Sequence, residues 1–171
     1  MARRILITVG LVGASTLALA LSSVARMSVR SPVSAPTCAA REAVGIPHTS
    51  WPPARRHVAP PGASALRLCR YLGGNTRDPG ALARTVLVIQ QQQIRQIAHE
   101  LNSLRRLPAH ALCPKDDGSM ITILARYPQH RRLAIAVILT GCTQVTNGNR
   151  DYVASEHLLN QLETLTGYHR S

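Results

Sequence analysis

The stretch that most constrains this chain runs from Cys113 to Cys142. Two β-branched, apolar-rich runs are joined by a short polar turn, and a cysteine stands just outside each end. From Ser119 to Tyr127, Ile121, Ile123 and Ala125 alternate with Met120, Thr122 and Leu124. In the second run Leu133, Ile135, Val137 and Leu139 keep the same spacing. A period of two is the strand repeat, and Pro128-Gln129-His130 supplies the reversal, so the stretch predicts a β-hairpin. Both faces of both runs carry apolar side chains. Such strands belong at the centre of a sheet, with helices over one side.

The cysteines follow from that hairpin. Cys38, Cys69, Cys113 and Cys142 are an even set, and two disulfides are the default in an oxidising compartment, with three connectivities open. A turn centred on Gln129 brings Cys142 opposite Asp116, close enough to Cys113 for the Asp116-Asp117-Gly118 loop to absorb the offset. A Cys113–Cys142 bridge would close a loop of about 30 residues and contribute roughly 3–4 kcal/mol in the chain-entropy account. Cys38 and Cys69 are then left to pin the segment before the domain to its first strand. No CxxC or HExxH occurs, so neither a thiol redox centre nor a zinc site is indicated.

The N-terminus fits that compartment. Arg3 and Arg4 precede an uncharged run from Ile5 to Leu21, followed by Ser23-Val24-Ala25. A basic start, an apolar middle and a small-x-small site predict an export signal over residues 1–25. An uncleaved anchor is the alternative, since Ile5 to Ala25 is just long enough to span a bilayer. Residues 26–63 then read as a Pro/Arg-rich disordered linker. Seven of the eleven prolines lie between Pro32 and Pro61, and each denies the backbone a donor. Trp51, the one tryptophan of the chain, lies there.

The domain proper is expected over 64–171. Ala65 to Tyr71 alternates as a strand, and Thr85 to Ile89 reads as a second. Ile94, Ile97, Ala98, Leu101 and Leu104 mark one stripe of a helix from Gln90 to Arg106, stopped by Pro108. After the hairpin, Thr143 to Arg150 reads as a turn around Asn147-Gly148. Asp151 is the expected cap of a last helix striped by Leu158, Leu159, Leu162 and Leu165 and ended by Gly167. The order β-β-α-β-β-α predicts a disulfide-stapled α+β fold: a small antiparallel sheet with two helices on one face.

Charge bounds the partners. The chain is +12 at pH 7, with 19 Arg against one Lys, Lys115. Such one-sided Arg usage in an Ala-rich chain matches a GC-rich genome, so the Arg count is not itself a sign of phosphate binding. Without Arg3 and Arg4 the chain is +10, and it would be drawn to anionic wall polymers, lipid head groups or acidic proteins. Four Tyr and one Trp, scattered, do not make the stacking platforms of a nucleic-acid binder, and no nucleic acid is expected.

The residues suited to catalysis do not converge. His99 and Glu100 are neighbours on a helix and point about 100° apart. Asp116-Asp117-Gly118-Ser119 matches only a fragment of a calcium loop, and Arg126 and Tyr127 stand where further oxygens would be needed. No nucleophile elbow is present. The expectation is a protein that is not an enzyme, with no metal and no cofactor.

One loop is singled out. A strand carrying Cys69, a helix carrying Leu101-Asn102-Ser103-Leu104, then Cys113-Pro114-Lys115, two strands and Cys142 together resemble the Streptomyces-type subtilisin inhibitors, over about Ser64 to Asn147. The resemblance implies a secreted α+β protein, a homodimer, and a Cys113–Cys142 bridge that pre-organises a protease-binding loop of Pro114, Lys115 and Asp116. Lys115 would enter the primary pocket of a serine protease and present its bond to Asp116. Cys69-Arg70-Tyr71, Cys113 to Ser119 and Val145 to Gly148 are also similar to exported actinobacterial proteins of unknown function. The leading expectation is an exported, non-catalytic binding domain at the cell envelope; the alternative is a serine protease inhibitor.

Overall fold

The computed structural model describes residues 36–42 and 57–168. The expected export signal or anchor, Trp51, Arg55 and Arg56 lie outside the described residues. Six antiparallel strands form one sheet in the order β2-β1-β3-β4-β5-β6. They are β1 (Ala65–Tyr71), β2 (Leu82–Val88), β3 (Met120–Arg126), β4 (Arg132–Ile138), β5 (Gln144–Thr146) and β6 (Asp151–Val153). Two helices, α1 (Gln91–Ser103) and α2 (Glu156–Thr166), complete the α+β fold.

The alternation puts the hairpin where expected. β3 pairs with β4 from Met120↔Ile138 to Arg126↔Arg132, and with β1 on its other side. Ile121, Ile123, Ala125, Leu133, Ile135 and Val137 face a core shared with Ile94, Ile97 and Leu101 of α1 and Leu158, Leu159 and Leu162 of α2. The opposite face carries Cys69, Tyr71, Met120 and Ala136, with Cys38 packed against them.

Past Ile138 the order departs from β-β-α-β-β-α. Thr143 to Arg150 is not all turn: Val145 pairs with Val137 of β4 and with Tyr152, adding two three-residue strands around the Asn147-Gly148 turn. Asp151 therefore lies in a strand and does not cap α2. Ser155 does, its hydroxyl accepting from the Leu158 amide at 3.1 Å. Gly167 ends α2 in the left-handed region, as expected of a C-terminal glycine. α1 is shorter than expected, because the chain turns extended at Leu104. Arg105 to Leu107 then lie along β6, with Arg106 bridging Tyr152.

The two described parts of the proline-rich stretch pack on the domain. Residues 57–63 lie across the core side, where Val58, Ala59 and Ala63 are buried. The Asn102 side chain holds this strap like a second backbone. Its carbonyl accepts from the Ala59 amide at 3.0 Å, and its amide donates to the Ala59 carbonyl at 2.7 Å. Tyr127 fixes the next residue, donating to the Pro60 carbonyl at 2.9 Å, and burial raises the pKa of its phenol. Residues 36–42 lie on the other side. Arg67 donates to the Pro36 carbonyl, Tyr71 to that of Ala39, and Arg41 bridges Ala81 beside β2.

Candidate functional site

Both expected disulfides are present, Cys38–Cys69 and Cys113–Cys142. The second frames the loop. Between Pro108 and the start of β3, Leu112, Cys113, Pro114, Lys115 and Asp116 are five consecutive exposed residues. Leu112 is 99% exposed, more than any other large apolar side chain described as exposed. A leucine in water has given up the burial that normally holds it, roughly 1.5–3 kcal/mol. Nothing in the core accounts for its position.

The base of the loop is held from several directions. Thr140 stands at the centre. Its hydroxyl lies 2.6 Å from one oxygen of Asp116 and 2.7 Å from one of Asp117, and it accepts from the Asp117 amide at 3.1 Å. One hydroxyl has one proton, so Thr140 donates to one of these two carboxylates at a time. Asp116 also accepts from the Gly118 amide, and Asp117 from the Ser119 amide. On the far side the Asp117 carbonyl takes the Gly74 amide. A β-carbon on Gly73 would run into the Asp117 carboxylate. Gly141 closes the ring at φ +67°, where a side chain would press on the Pro114 carbonyl and on Asp116 at 3.2 Å.

These contacts set the charge at the base. The Ser119 amide and then the Thr140 hydroxyl hold the Asp117 pKa below its ordinary value. Burial, and then the negative charge of Asp116, raise that of Glu42. Asp78 completes the group through its ion pair with Arg41 at 2.5 Å. Four of the eight acids of the chain thus sit in segments meeting at this end of the sheet, with Lys115 projecting from the same end.

The sequence-expected residues are brought together unevenly. Cys113, Pro114, Lys115, Asp116 and Cys142 form one site; Cys38 and Cys69 staple the lead-in elsewhere on the sheet. His99 and Glu100 diverge: Glu100 faces His157 of α2 at 3.7 Å, whereas His99 lines a groove of about 400 Å³ with Pro61, Ala63 and Arg95. Among the described residues no cluster of three or more metal-ligating side chains occurs. Glu42, Gly73, Thr140 and Gly141 were not singled out by sequence reasoning. Thr140-Gly141 beside Cys142 was the one local sign, since a bridged cysteine brings its neighbours to its partner's loop. No protein-family model, no curated protein and no solved structure matches this chain.

Proposed function

We propose that the chain is an exported, non-catalytic binding domain that works at the cell envelope and presents Leu112 to Asp116 to a partner. The observation that carries this reading is the exposed loop itself. Its tip is in water, Leu112 included, while its base is fixed by a disulfide, a shared hydroxyl and a close-packed glycine. Such a loop binds with little ordering cost, because its conformation is set beforehand. Export is supported by the paired cysteines and by the basic-then-apolar N-terminus. Among the described residues no helix is long and apolar enough to cross a membrane. The charge of the chain favours anionic wall polymers or lipid head groups as the surface it meets.

A serine protease inhibitor acting through Lys115 is the second reading. The exposure of Lys115 between a bridged Cys-Pro pair and the anchored Asp116 favours it. After cleavage of the Lys115–Asp116 bond, both new ends would stay tethered, one through Cys113–Cys142 and the other through Thr140. Titration of the oxidised protein against a panel of trypsin-like and subtilisin-like proteases tests this. A 1:1 end point is expected with a trypsin-like enzyme, retained in Lys115→Arg and weakened at least about 100-fold in Lys115→Ala, as loss of a buried charged contact would cost. No inhibition across the panel removes the inhibitor reading and leaves the binding-domain reading, which retention on purified cell wall tests. That retention is expected to fall as salt rises; retention indifferent to salt would count against it.

A further inference from the structure

α1 and α2 meet along a seam walled by carboxamides. Glu100, late in α1, faces His157, at the start of α2, at 3.7 Å. From that pair the seam opens back toward Gln93 and on toward Thr164, so the two helices run antiparallel there. Between them lies a groove of about 280 Å³. Gln93 and Gln96, one helical turn apart, form one wall. Asn160, Gln161 and Thr164 form the other, on one face at three- and four-residue spacing. Leu165 is the one aliphatic side chain in the lining.

Composition alone would not gather this set. The chain holds 20 Lys and Arg and 8 Asp and Glu, and none of them lines the groove. Three of its eight glutamines do. Of the run Gln90 to Gln93 at the start of α1, Gln93 is half-buried against the groove, while the other three are exposed. His157, the one titratable group in the lining, is turned to Glu100.

A helix flank of amides facing water would need no explanation. Gln161 is different. Its side-chain oxygen is buried and has no hydrogen-bond partner among the described residues. A carbonyl taken out of water without a donor bears the full cost of its desolvation, and such a group calls for a donor from outside the chain. The side chain as a whole is half-buried and lines the groove. Its terminal torsion is a soft one, so a small turn of the amide brings the oxygen to the groove.

We propose that the α1–α2 groove binds an uncharged saccharide, taking one ring of a sugar chain against Gln93, Gln96 and Gln161. A carboxamide presents a donor and an acceptor side by side in one plane. Two neighbouring sugar hydroxyls, each both donor and acceptor, answer that pair in kind. A charged ligand would need a countercharge in the lining, and a nucleobase would need a Phe, Tyr or Trp to stack on. The groove offers none of these, and Leu165 alone is too little wall for an acyl chain. The volume is at the small end for ligand sites, which suits a single ring and not a large cofactor. The groove lies on the helices, apart from the Leu112–Asp116 loop, and the inference does not rest on the reading given to that loop.

The test is NMR titration of the oxidised full chain with two uncharged tetrasaccharides, chitotetraose and maltotetraose, read on the side-chain amide signals of Gln93, Gln96 and Gln161. At least one sugar is expected to shift those signals with a Kd near or below about 1 mM, modest because no aromatic face supports the ring. Added salt should leave the affinity unchanged, since no charge is paired. Gln96→Ala, at an exposed position, is expected to weaken binding at least about fivefold, and Gln161→Leu at least about tenfold. Gln161→Leu keeps the bulk and removes the orphaned oxygen, so its urea midpoint should hold or rise while binding is lost. A glutamine with a purely structural role would not give that combination. Gln92→Ala, exposed in the same run, should change affinity less than about twofold. No shift of the three amides with either sugar would overturn the site. So would undiminished affinity in Gln96→Ala and Gln161→Leu, an equal loss in Gln92→Ala, or a lower midpoint in Gln161→Leu, which would show its oxygen to be satisfied within the fold. Affinity that fades with salt would overturn the uncharged ligand. None of these results touches the wall retention by which the envelope reading is tested.

Discussion

At the scale of single residues, the Thr140 hydroxyl ties the base of the exposed loop to the end of β4 by its contacts with Asp116 and Asp117. Replacing the threonine by valine keeps the shape and deletes the hydroxyl. The Asp117 amide loses an acceptor, and two carboxylates lose a donor they share. Thr140→Val is expected to cost about 1–3 kcal/mol in urea unfolding and to speed amide exchange over residues 114–119. The acids predict a pH dependence with two limbs. The folded pKa of Asp117 is depressed, so its contribution is present above its ordinary value of 3.8 and is lost as pH falls through the lower folded value. Glu42 runs the other way. Its folded pKa is raised, so stability falls as pH climbs from its ordinary 4.5 through the raised value. Unfolding measured across acid pH should lose the first limb in Asp117→Asn and the second in Glu42→Gln.

At the scale of elements, the chain announces what is periodic and hides what is short. The β3–β4 hairpin and the stripes of α1 and α2 were legible because each keeps one spacing over an element at least seven residues long. β5 and β6 were not. Gln144-Val145-Thr146 and Asp151-Tyr152-Val153 are too brief to show alternation, and they are strands because the edge of β4 was there to pair with. Asp151 and Ser155 both stand before α2 with side chains suited to capping. Strand pairing claimed Asp151, so the cap fell to Ser155. The disulfide-bound loop was legible from the cysteines and the hairpin, but its supports were not, because Thr140 and Glu42 reach it across 24 and 74 positions of chain with no local signature. The strap over the core was hidden by its prolines, which argue against regular structure without arguing against packing. Asn102 is what holds it. Asn102→Ala is expected to cost about 1–3 kcal/mol and to expose the amides of residues 57–60 to exchange, with the sheet still protected.

At the scale of the whole domain, the exposed loop and the β3–β4 turn lie at opposite ends of one hairpin. β3 runs from the Lys115 loop to Arg126, and seven strand residues put about 20 Å between them. Substitutions that far apart in one domain are expected to act additively on stability.

The Cys38–Cys69 bond decides how this domain would answer a pull. Tension applied to the chain at Pro36 passes through sulfur into the middle of β1, not into the bridge between Arg41 and Ala81 at the edge of the sheet. β1 has a neighbour on each side, with six registered residue pairs to β2 and seven to β3. The force must therefore slide a central strand between two others, instead of unzipping an edge one bond at a time. While the bond holds, the 31 positions it spans stay out of the path of the force. Once it is reduced, they become roughly 100 Å of slack.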